Sequence, residues 1–193
     1  MTEKRNTKGF VGLIIAGVLS IIVALGALGF FQFYQTADNL YNKGNIFGEV
    51  PMKDEAVTAV KITGYAENPI ATIDGGTKLY LIEFTKTDND DFGYASLEVK
   101  EGDKLIEKLK STDDLVANPV IVAVKMRKSG ADGAVRNYTS EFKATISENE
   151  NISKLAETEY YVSVYEFDKD RQFAYIVAGI AGIIALVFFY SAF

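Results

Sequence analysis

The chain has 193 residues, 20 of them basic and 26 acidic, for a net charge of −6, and it contains no cysteine, histidine or tryptophan. Lacking cysteine, it has no disulfide scaffold and no thiolate metal site; lacking histidine, it has no Ser-His-Asp triad and no imidazole ligand. Three of the basic residues (Lys4, Arg5 and Lys8) stand near the start, so the rest is more acidic still and poorly suited to phosphate backbones; no nucleic-acid partner is expected.

Residues 10–31 (FVGLIIAGVLSIIVALGALGFF) carry no charge. A helix rises about 1.5 Å per residue, so this run is long enough for a hydrocarbon core of about 30 Å. The preceding basic residues place residues 1–9 in the cytoplasm, and Phe30, Phe31, Phe33 and Tyr34 suit the far interface. A cleaved signal peptide is the competing reading, with Ala24-Leu25-Gly26 as its small-x-small site. The run exceeds the usual apolar region of about 7–15 residues, which favours a retained transmembrane helix.

Residues 32–56 read as a juxtamembrane connector. Helix could continue through 32–42, with Tyr34, Leu40 and Tyr41 on one side, until Gly44, Gly48 and Pro51 break it. Residues 57–167 then read as a β-rich domain. In 57–65, Val60 and Ile62 alternate with Lys61 and Thr63. In 78–87, Leu79 and Leu81 oppose Tyr80, Ile82 and Phe84, as in a strand covered on both sides. In 92–100, Ala95, Leu97 and Val99 face inward. Leu105, Ile106 and Leu109 have helical spacing within 101–110.

The clearest alternation lies in 119–128, with Val120, Val122, Val124 and Met126 opposite Lys125 and Arg127. A strand is expected at 136–146 from Tyr138, Phe142, Ala144 and Ile146. A short helix is expected after the Ser147-x-x-Glu150 capping pattern, with Ile152, Leu155 and Ala156 as its apolar side. A last strand at 159–167 puts Tyr160, Val162 and Val164 inward. A polar linker at 168–172 leads into a second uncharged run, 173–193.

The expected fold class is membrane-anchored α+β: two transmembrane helices, N- and C-terminal, flanking a small-barrel or OB-like domain with two short helices. Short antiparallel strands must hide their edges, which favours closure into a barrel. Two spans return the C-terminus to the cytoplasm and leave the domain extracytoplasmic, as expected at a bacterial cell membrane. Small residues recur at four-residue spacing in both runs: Gly12, Ala16, Ser20 and Ala24 in the first, and Ala174, Ala178 and Gly182 in the second, with Ala181 and Ala185 beside them. They form a candidate helix-packing interface.

No catalytic, cofactor-binding or metal-binding residue is assigned, and no enzyme activity or cofactor is expected. Asp88-Asn89-Asp90-Asp91 begins like a calcium loop, but Phe92 and Val99 stand where its fifth and twelfth positions need oxygen ligands. Gly75-Gly76-Thr77 lacks a phosphate-loop lysine. Asn137-Tyr138-Thr139 and Asn151-Ile152-Ser153 are glycosylation sequons, relevant only in a eukaryotic lumen. The layout of span, β-rich domain and span resembles several envelope and organelle membrane families, including the membrane-adjacent domains of some ubiquitin ligases. Lacking cysteine, this chain has no RING, so that activity does not carry over. The expected role is a non-catalytic accessory or scaffolding subunit of a larger envelope complex. Its expected partners are the lipid bilayer and other membrane subunits or a second copy. The alternative is a membrane-tethered sensor or ligand-binding module.

Overall fold

The computed structural model describes residues 7–73, 76–87, 91–130, 139–147 and 149–192. Lys4 and Arg5, on which the orientation rests, lie outside the described residues, as do Asp74, Gly75 and the hairpin tip 88–90. The chain divides into two compact units, residues 35–168 and a helical unit formed by residues 1–34 with 169–193.

The first unit is built on a closed five-strand barrel. Its strands are β1 (Val57–Tyr65), β3 (Thr77–Thr85), β4 (Phe92–Lys100), β5 (Val120–Lys128) and β6 (Tyr160–Ser163). The circuit runs β1-β3-β4-β6-β5 and back to β1. Every pairing is antiparallel except β4 with β6, which is parallel. An additional strand β2 (Ala71–Ile73) pairs with the start of β3, ahead of the stretch that β1 occupies. Closure leaves the barrel strands paired on both sides, the solution expected for short strands.

Alternation fills the barrel. Val60, Ile62, Tyr80, Ile82, Phe84, Ala95, Leu97, Val99, Val120, Val124, Met126 and Val162 form one buried cluster, the inward set that their period of two implies. Helix α3 (Lys104–Ser111) adds Ile106 and Leu109 to this core. Asp103 caps α3 by accepting a hydrogen bond from the Leu105 N–H at 2.8 Å. The stretch read as a connector also contributes. After helix α2 (Ala37–Asn42), capped by Thr36, Ile46 bridges to Ala59 and Phe47 enters the core, edge-on to Phe84 with ring centroids 4.9 Å apart. Gly93 permits that packing: a Cβ there would lie 2.8 Å from the Phe84 ring and 3.1 Å from the Leu155 carbonyl.

Three expectations change. The strand expected at 136–146 is helix α4 over Thr139–Ile146, and residues 136–138 lie outside the described residues. Phe142 and Ile146, four apart, are both buried, so helical spacing prevails over the alternation that Ala144 suggested. Helix α5 (Glu150–Leu155) is capped by Asn149 rather than Ser147. Asn149 Oδ1 accepts from the N–H groups of Asn151 and Ile152, whereas Ser147 Oγ donates to the Ala144 carbonyl. The strand expected at 159–167 ends at Ser163, and Val164–Ala192 is one helix, α6, so residues 168–172 are helical rather than a linker.

The helical unit contains α1 (Thr7–Gly29), which continues as a π-helical turn over Phe30–Tyr34, and the greater part of α6. Two helices, Gly9–Tyr34 and Val164–Ala192, are long and apolar enough to cross a membrane.

Candidate functional site

The charged residues that the barrel buries, Glu98, Lys125 and Arg127, lie on its outer surface along the seam of β4, β6 and β5. The inward set fixes the geometry. With Leu97, Val162 and Met126 in the core, alternation turns Glu98, Ser163, Lys125 and Arg127 outward. The register sets Glu98 beside Ser163 and Ser163 beside Lys125, and in the next row sets Tyr161 beside Arg127. Glu98, Lys125, Arg127, Tyr161 and Ser163 are all buried despite facing away from the core.

The Ser163 hydroxyl donates to Glu98 Oε2 at 2.7 Å and accepts from the Glu166 N–H at 2.9 Å. A serine flanked by a carboxylate and a lysine is the side-chain set of an activated nucleophile. Burial decides against that role for Ser163, which is 0% exposed while an attacking oxygen must reach its substrate. Its hydroxyl caps α6, and Ser163-Val164-Tyr165-Glu166 has the capping-box spacing that marks where strand turns to helix.

Arg127 is the centre of the second row. Its Nε lies 3.3 Å from Asp54 Oδ1, its Nη1 3.5 Å from Glu166 Oε2 and its Nη2 3.7 Å from Glu55 Oε1. Burial pulls the guanidinium pKa down, but Tyr161, Asp54 and Glu166 outweigh it and hold the group above its ordinary value. Burial, then Glu98, pushes the Tyr161 phenol far above its usual range, with Arg127 opposing. The arrangement can hold charges in fixed positions, and Tyr161 stays protonated at neutral pH.

Each residue singled out from the sequence has a place. On α1, Gly12 is exposed, while Ala16, Ser20 and Ala24 are half-buried; the Ser20 hydroxyl donates to the Ala16 carbonyl at 2.9 Å. On α6, Ala178 is buried, and Ala174 and Gly182 are half-buried. A Cβ at Gly12 or Gly182 would meet nothing within 4 Å. A close approach between the two helices is seen at Gly17, where a Cβ would lie 3.0 Å from the Phe189 ring, and Ala181 and Ala185 are buried on α6. Asp88, Asn89 and Asp90 lie outside the described residues; Asp91 pairs with Lys86 at 2.6 Å, and Val99 is in the barrel core. Among the described residues no group of three or more carboxylates could hold a metal ion. Asn137 also lies outside them, whereas Asn151 is exposed in the first turn of α5.

Sequence reasoning placed Arg127 on the outer face but passed over Asp54, Glu98, Ser163 and Glu166. The capping pattern at 163–166 was the available signal for two of them. No protein-family model, curated protein or solved structure matches this chain.

Proposed function

We propose that the chain is a two-pass membrane protein whose α1 and α6 span the bilayer and whose barrel, OB-like in its strand circuit, is an extracytoplasmic accessory or scaffolding module for other membrane subunits. The observation that carries this reading is the outward sorting of large apolar side chains on both helices. Ile15, Leu19, Ile22 and Leu25 on α1, and Ile176, Ile183 and Leu186 on α6, are all exposed. Only 11% and 22% of the most apolar windows of the two helices are buried, unlike the core helix of a soluble protein. The lengths of 26 and 29 residues correspond to about 39 and 43 Å, beyond the roughly 30 Å of a hydrocarbon core. Ionisable residues at 168–171 stand ahead of the uncharged stretch of α6 and leave its remainder apolar.

The OB-like reading is supported by the Greek-key circuit and by α3, which lies between the third and fourth barrel strands. That likeness carries no ligand with it. The scaffolding role is supported by small residues on both helices that leave open space at Gly12 and Gly182, where another helix could approach closely.

The natural absence of cysteine makes the topology directly testable. Single Lys8→Cys and Lys104→Cys variants are treated in intact cells with a membrane-impermeant maleimide. The expected outcome is labelling at position 104 from outside, and at position 8 only after permeabilisation. The reverse pattern, or a protein recovered in the soluble fraction, overturns the reading. Purification in mild detergent tests the scaffolding role, which a strictly monomeric, partner-free protein would refute.

A further inference from the structure

Two chain segments lead into and out of the barrel: residues 54–56, which enter β1, and the first turn of α6, which leaves β6. Both end at the same side chain. Arg127 reaches Asp54 and Glu55 on the incoming lead and Glu166 on the outgoing one. The incoming lead is further held by backbone: the Lys128 N–H donates to Asp54 Oδ1 at 2.8 Å, and the Glu55 N–H donates to the Met126 carbonyl at 2.8 Å. Glu55 has φ of 65°, a left-handed conformation that costs a non-glycine residue energy and persists where its surroundings hold it. The outgoing lead is held by the Ser163 cap, itself tied to Glu98.

We propose that Arg127 is a latch: it pins the incoming and outgoing leads to one point on the barrel, so that the two release together rather than separately. Arginine suits this task because its planar fork presents donors in several directions at once. Its side chain is 9% exposed, so solvent screens its contacts with the partly buried Asp54 and Glu166 less than that with the exposed Glu55, and removing it leaves Asp54 and Glu166 without their shared cation. The latch lies wholly within the barrel unit and does not depend on whether α1 and α6 cross a membrane.

Hydrogen exchange on the full chain in detergent tests it, comparing amides of 54–56 and 164–168 with control amides in β3 and in residues 92–96 of β4. In Arg127→Met, which keeps the bulk and removes the charge, both leads are expected to exchange about tenfold faster, with the control strands changed by less than about twofold. Should that variant not fold, Arg127→Lys, which keeps the charge but lacks the fork, carries the test with the same paired response at smaller size. Glu166→Gln is expected to accelerate 164–168 and, through the shared arginine, 54–56 to a lesser degree. Acceleration of one lead alone in the Arg127 variants, or equal acceleration of leads and control strands, would overturn the proposal.

Discussion

The barrel and the helical unit sort the same kinds of residue in opposite ways. In the barrel the large apolar side chains are inside: Phe47, Ile62, Ile82 and Leu97 are fully buried. In the helices many of the large ones are outside, with Leu25 63% and Leu186 70% exposed, while the alanines Ala178, Ala181 and Ala185 are inside, each below 9%. Water drives the first pattern, because hiding a large apolar side chain gains about 1.5–3 kcal/mol. In the bilayer proposed for α1 and α6, lipid would remove that gain. Helices then meet through residues small enough for their backbones to approach, as Gly17 does beneath Phe189. The comparison teaches that hydrophobicity alone does not say which way a side chain faces.

The contrast breaks most visibly in the barrel. Phe47→Ala removes a fully buried ring and is expected to cost about 3–5 kcal/mol, whereas Ile22→Ala on the exposed face of α1 should leave barrel stability within about 0.5 kcal/mol. Chemical denaturation of the full chain in detergent measures both, and equal losses would end the distinction. A charge probes the helices from the other side. Leu19→Arg should add about 2.5–3.5 kcal/mol to insertion of α1 and move protein out of the membrane fraction. Unchanged fractionation would mean that α1 does not span.

Two of the glycines of α1, Gly12 and Gly17, sharpen the contrast at finer scale. Gly17→Leu collides with Phe189 and should separate α1 from α6 at a cost of about 1–3 kcal/mol, while Gly12→Leu meets open space. Cross-linking between the helices reads the first effect. If Gly12→Leu leaves that cross-link intact yet abolishes co-purification of a partner, the Gly12 face is the outer docking surface. The smallest effect is at Tyr161. Its pKa is raised in the folded state, so its contribution to stability is complete below the ordinary phenol value of about 10 and declines as pH climbs above it. Alkaline titration followed by phenolate absorbance should show one tyrosine that ionises only as the barrel unfolds, and Tyr161→Phe should remove that component.

The seam around Arg127 shows where reading the chain in order stops. The alternation in β5 already set Arg127 apart from Val124 and Met126, so its outward direction was legible. Its partners were not, because Asp54 is 73 positions away and Glu98 lies 65 positions from Ser163, and no local pattern specifies which segments close a barrel. The start of α6 was legible in principle from Ser163 and Glu166. The apolar residues at 160, 162 and 164 continued the alternation across the boundary and masked it. Thr139–Ile146 failed for a related reason: Phe142 and Ile146 satisfy a period of 3.6 as well as they satisfy alternation with Ala144.

The sequence by itself determined the two long apolar helices, the bounds of β1 and β4, and the inward faces of β1, β4, β5 and β6. These depend on periodicity and length, which are properties of neighbouring residues. The tertiary structure alone decided the closure of the barrel through the parallel meeting of β4 and β6, the entry of Phe47 into the core, and the convergence of Asp54, Glu55 and Glu166 on one arginine. Those depend on which distant segments pack together, and the free energy that selects them comes from burial and from charge pairing in three dimensions.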